Sequence, residues 1–141
     1  MRQPMLRAHV WLLATLLPLL VRFVPLPRLM VLLTPRRVPY VGISPQHVTD
    51  LVNRRLANPR NMRRRACLRH GLTLFHFLRL SGYNAILNFS IYPLAQTEVR
   101  MQGHCWVSLA GKCISTPPSP GGVLVLTYAD KADAQRFASM Q

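Results

Sequence analysis

Acidic side chains are nearly missing from this chain. Four of them (Asp50, Glu98, Asp130 and Asp133) stand among 141 residues, against eighteen basic ones, for a formal net charge of +14. Lysine is almost missing too, since sixteen of the eighteen are arginine. Cysteine is scarce: Cys67, Cys105 and Cys113 make an odd number, too few for a disulfide-rich secreted scaffold, and fit free thiols in a reducing cytosol. The Cys105–His104–Cys113 grouping lacks a CxxC or HxxxH spacing, so no metal and no cofactor is expected. Few aromatics interleave with the arginines and no nucleic-acid module is recognisable, so no nucleic-acid partner is expected. A long hydrophobic run is also wanting. Val10–Val21 has twelve residues without a charge, but Arg7 and Arg22 enclose only fourteen, one of them Pro18. A membrane span needs about 20 apolar residues. A signal peptide would need a small-residue cleavage site, and Arg22 with FVPLPR follows instead. The run reads as a buried or partner-facing helix, with an interfacial membrane helix, a signal or a span as alternatives.

What is present is enough for one domain. Half the residues are hydrophobic, which allows a core and excludes wholesale disorder. The charge is lopsided: residues 1–79 hold fourteen arginines and one acid, a net of +13. This half faces an acidic peptide or protein or anionic lipid, or it reflects a genome rich in arginine codons.

Leu26–Thr34 reads as a short helix closed by Pro35. Ser44-Pro45 is a strong helix start, with serine at the cap and proline at the first helical position. That helix runs to about Leu56, with Val48, Leu51, Val52 and Leu56 on one face, and Asn58-Pro59 stops it. Another spans about Ala66–Leu80, with Leu68, Leu72 and Phe75 on a stripe and Gly82 placed for a left-handed cap. The texture then changes. Asn84–Tyr92, His104–Ala110, Lys112–Ser115 and Val123–Tyr128 carry β-branched and aromatic residues in short runs and read as strands. Gly111-Lys112 fits a tight turn, and Asp130–Met140 a last helix. There is no internal repeat. Helices first and antiparallel strands after make an α+β plan, with residues 1–58 as a helical part and 60–128 as the core that carries the chemistry.

Cys67 opens the helix that follows Arg63–Arg65. Unpaired N–H groups at a helix start and neighbouring arginines favour thiolate over thiol, as a nucleophile requires. The same N–H groups can hold an oxyanion after attack on a carbonyl. The plain alternative is a small buried residue on the inner helix face. His104, 37 residues on, opens a strand able to return beside the helix start, and is the natural base. His70 and His76 lie along the Cys67 helix, and His9 and His47 have no cysteine near in sequence. Cys105, next to His104 on the strand, should point to the opposite face.

Taken together, RRRACLRHGLTLFHFLRLSGYNAILNFSIY and GHCWVSLAG resemble a family pattern: a basic pair before Cys-Leu-Arg, an apolar helix, Leu-Arg-x-x-Gly, a strand, then His-x-Trp-Val. The pattern is similar to that of the transglutaminase-like cysteine peptidase of lasso-peptide biosynthesis, the leader-peptidase half of the split B protein. The likeness covers about residues 60–115. It implies a transglutaminase/papain-like arrangement over residues 1–141, acting in the bacterial cytoplasm with peripheral membrane contact as an option. It implies removal of the leader from a ribosomally made precursor peptide, with Cys67 as nucleophile and His104 as base. The implied partners are that precursor, a small leader-binding protein supplied in trans and an ATP-dependent lasso cyclase. One departure stands out. The family has an Asp about a dozen residues after the His, whereas KCISTPPS here holds no acid. A distant acid, a hydroxyl, a backbone carbonyl or a bare dyad could take its place, so no third residue is assigned. The rival readings are acyl transfer to an amine and a non-catalytic basic protein that docks a peptide or an anionic membrane surface.

Overall fold

A computed structural model describes residues 2–57, 66–92, 102–115 and 120–129. Four helices come first: α1 (Arg2–Phe23), α2 (Leu26–Leu32), α3 (Pro45–Leu56) and α4 (Ala66–Leu80). Four strands follow: β1 (Ile86–Tyr92), β2 (Gln102–Leu109), β3 (Lys112–Cys113) and β4 (Val123–Tyr128). They form one antiparallel sheet in the order β3-β2-β1-β4. The fold is therefore α+β, helical half first. The expected helix over Asp130–Met140 lies outside the described residues.

The local signals act as their chemistry dictates. The Ser44 hydroxyl accepts from the His47 N–H at 3.2 Å, and Pro45 is the first residue of α3. At the end of α4, Gly82 takes φ +90°, and the N–H groups of Gly82 and Tyr83 close onto the carbonyls of Arg79 and Leu78. The hairpin between β2 and β3 turns on Ala110 (φ 51°) and Gly111 (φ 80°). Two left-handed residues in a two-residue loop match the twist of the flanking strands. This turn ends β2 at Leu109, one residue before the expected Ala110, because Ala110 has left the extended region; at its other end the strand begins at Gln102, two residues before His104.

Some boundaries differ for tertiary reasons. α1 runs well past the charge-free stretch and takes in Arg2, Arg7 and Arg22. Arginine is a good helix former, and Leu6, Val10, Ala14 and Leu17 are all buried beneath the helix. Pro18 lies inside it, leaving the Ala14 carbonyl without its usual N–H partner. α2 ends at Leu32, two residues early, since the Thr34 hydroxyl turns back to the Met30 carbonyl at 2.7 Å and meets the Tyr128 hydroxyl at 2.6 Å. Fully buried Tyr128 also reaches the Met30 carbonyl, so the last strand is bolted to α2.

α4 is the central element. Gly71–Phe75 are buried without interruption, as are Phe77 and Leu78, which is the mark of a helix enclosed on all sides. α1 and α3 pack on it, and so does the sheet, through β2 and β1. At Gly71 helix and sheet approach closely. A Cβ there would lie 2.7 Å from Cys105 Sγ and 3.3 Å from Leu87 Cδ1. Gly71→Ala should therefore lower stability, since an overpacking cost of about 1–3 kcal/mol outweighs a helix-propensity gain of about 1 kcal/mol. Adding Cys105→Ala should recover part of the loss by clearing the sulfur. Urea unfolding of the four members of this cycle measures the coupling, and additive losses would show that the contact is not what glycine serves.

Candidate functional site

Cys67 is the second residue of α4, among the N–H groups that no helical carbonyl satisfies. Its side chain is half-buried and its thiol is free. One turn on, Gly71 meets Cys105 of β2, so the first turn of α4 sits over the sheet toward the start of β2. There a cavity of about 420 Å³ opens between the helix start and the sheet. Cys67 and His104 both line it, with Leu26, Leu68, Phe89, Ile91 and Leu126 as its apolar walls. Its size falls within the range of small-ligand pockets, about 300–1,000 Å³. The sheet is irregular at this point. β1 pairs Phe89 with Leu126 but Ser90 with Leu124, so Val125 is an extra residue in β4, and it too lines the cavity. Bulges of this kind recur beside active sites, where they re-aim side chains.

The two faces of β2 divide the candidates. Cys105, 5 % exposed, points at α4, and burial followed by the neighbouring Cys67 sulfur pushes its thiol up. By alternation His104 leaves the strand on the other face. Its ring stacks on Trp106 with centroids 5.9 Å apart and planes 17° from parallel. The structure thus brings Cys67 and the His104 segment to one cavity, while the imidazole itself rests against Trp106.

Three of the other histidines are engaged elsewhere, and His47, on α3, keeps a buried Nε2 without a hydrogen-bond partner. His70 Nε2 lies 2.6 Å from Asn53 Oδ1 of α3, and burial lowers its pKa. His76 donates from Nδ1 to the Leu33 carbonyl at 2.7 Å. His9 Nδ1 meets the Tyr40 hydroxyl at 3.2 Å. Of the acids, Glu98, Asp130 and Asp133 lie outside the described residues, as do Arg63–Arg65. Asp50 is exposed on α3 and lines a different pocket with Lys112. The Ser115 hydroxyl, one candidate to replace the absent acid, accepts from the Val107 N–H at 2.8 Å. Thr116 is outside the described residues.

Sequence reasoning missed Ser90. In the β1–β2 register it stands directly opposite His104, on the same face. It is 3 % exposed, lines the Cys67 cavity, and its hydroxyl has no hydrogen-bond partner. A buried hydroxyl left unpaired is costly and calls for an explanation. No signal in the sequence could have found it, because the pairing depends on a register that only the folded sheet fixes. Compared with protein-family models, curated proteins and solved structures, the chain matches none.

Proposed function

We propose that this protein is a cysteine peptidase that removes the leader from a lasso-peptide precursor. The observation that carries this reading is the cavity lined both by Cys67, at the start of α4, and by the His104 position of β2. The motif resemblance supplies the substrate class. In this mechanism the Cys67 sulfur attacks the scissile carbonyl and the helix-start N–H groups receive the developing oxyanion. His104 takes the thiol proton and returns it to the leaving amine. This role requires more than a tightening: the imidazole, on the β2 face away from Cys105, has to leave its stack on Trp106 and be carried to the sulfur when substrate binds. Water then releases the acyl group. The apolar walls exclude bulk water around the acyl-enzyme and receive a substrate side chain.

Ser90 is the group placed to orient the imidazole where the family's Asp is missing. The transglutaminase/papain-like arrangement, the cytoplasmic setting, the trans-acting leader-binding protein and the partner cyclase all belong to the same reading.

Limited iodoacetamide labelling near neutral pH, read by mass spectrometry, tests the nucleophile. Cys67 should react first, because the electropositive helix start favours attack by its sulfur. Cys113 is exposed, its thiol donating to the Ser115 carbonyl at 3.3 Å, and should follow. Cys105 should stay unlabelled until the protein is unfolded, since burial keeps it protonated. Cys113 reacting ahead of Cys67 would count heavily against the site.

A further inference from the structure

α1 carries two apolar faces. Leu6, Val10, Ala14 and Leu17 are buried against the protein. Met5 (63 % exposed), Leu12 (51 %), Leu16 (43 %), Leu19 (56 %) and Phe23 (74 %) form a second stripe facing solvent. At about 100° per residue the two stripes lie about 140° apart, on nearly opposite sides of the helix. The outer stripe runs the length of the 22-residue helix, about 33 Å at the standard rise. Arginines border it. The Arg22 guanidinium lies 5.6 Å from the Phe23 ring centre, and Arg55 of α3 lies 5.6 Å from that of Trp11, itself 58 % exposed. Arg55 also donates to the Thr15 hydroxyl, which holds it at the helix flank.

We propose that this outer face of α1 docks on an anionic lipid bilayer, lying in the plane of the interface. The charges choose the occupant. A second copy would bring a front half of net +13 against another of the same sign, and like charges repel. A transmembrane span is the third possibility, since α1 is long and apolar enough by composition. Spanning would strip Leu6, Val10, Ala14 and Leu17 out of the core they share with α3 and α4. Lying flat keeps that core intact and buries only the stripe. Leucine and phenylalanine then enter the acyl boundary, while Trp11 and the flanking arginines sit at the phosphates.

The docking face is independent of the chemistry at Cys67, but its position bears on it. A second cavity, about 360 Å³, begins at Phe23 and Val24 and shares Leu26 and Leu68 with the Cys67 cavity. The docked protein therefore holds its candidate site close to the bilayer surface.

Flotation of the purified full chain with vesicles of phosphatidylcholine, with and without phosphatidylglycerol, tests the docking. Binding is expected with phosphatidylglycerol, weakening as salt rises, and release by alkaline carbonate. The triple variant Leu12→Gln, Leu16→Gln, Leu19→Gln should partition at least about tenfold less. If the triple variant fails a urea-unfolding check, Leu16→Gln alone replaces it, again with the expectation of weaker partition. In a Trp106→Phe background, Trp11 emission should shift to the blue on binding the acidic vesicles. Unchanged partition of a folded stripe variant would overturn the proposal, since the arginines alone would then explain adsorption. Resistance to carbonate would overturn it in favour of a span. A dimer abolished by the stripe substitutions, without vesicle binding, would overturn it in favour of a second copy.

Discussion

Cys67→Ala is expected to abolish leader removal, with the folded protein otherwise unchanged. No other described group at the start of α4 can form the acyl intermediate, because Cys105 is buried under Gly71 and held protonated. His104→Ala should be nearly as severe, a loss of about 10²–10⁴-fold, because attack and amine departure both need its proton transfer. The assay is precursor processing followed by mass spectrometry, with the leader-binding partner supplied and each variant checked for folding. Full activity in Cys67→Ala would sink the peptidase reading. Within the same assay, Ser90→Ala should reduce cleavage about tenfold and shift its pH profile, as expected if its hydroxyl, unpaired in this structure, bonds the charged imidazole in the reacting complex. Ser90→Thr, which keeps the hydroxyl, should recover most of it. Glu98→Ala, Asp130→Ala and Asp133→Ala should each retain cleavage. A folded acid variant as impaired as His104→Ala would instead name that acid as the third member.

The second large effect is a loss of stability in mild acid, and it centres on His76. Burial, opposed by its bond to the Leu33 carbonyl and helped by nearby His9, lowers the His76 pKa from 6.5 to about 4. Its neighbours are the His9 ring, 5.7 Å away and itself lowered by burial, and Phe77 at 5.1 Å. The native state therefore keeps His76 neutral, whereas the unfolded chain protonates it near pH 6.5. The contribution is fully present above pH 6.5 and is lost as pH falls through about 4. A shift of this size is about 3 kcal/mol in full, of which about 2 kcal/mol is lost between pH 7 and pH 5. That is a large share of a typical folding free energy of about 5–15 kcal/mol. Urea midpoints at the two pH values measure it. His76→Asn, which keeps a donor for the Leu33 carbonyl but cannot titrate, should flatten most of the dependence. The remainder belongs to His9 and His70, whose pKa values are also lowered by burial. An unchanged slope in His76→Asn would assign the acid lability elsewhere.

The sequence by itself determined the elements whose causes are local. Ser44-Pro45 starts α3 because a hydroxyl at the cap and a missing N–H at the next residue suit a helix end. Gly82 ends α4 because glycine alone takes a left-handed cap without strain. Alternation along β2 separates Cys105 from His104 whatever lies around them. Helices before strands gave the α+β plan, and the position of Cys67 at a helix start was legible for the same reason. The remaining features belong to tertiary structure because their causes lie far apart in the chain. Gly71 looked like an isolated glycine in a helix, and it became a point of contact only when Cys105 arrived from β2. Which face of β2 meets α4 was open until the sheet packed, and packing gave that face to Cys105, so the His104 ring stacks on Trp106. Ser90 faces His104 only through the β1–β2 register. The outer stripe of α1 was invisible in a run apolar on nearly every side. Only the packing of Leu6, Val10, Ala14 and Leu17 on the core decided which apolar residues were left exposed.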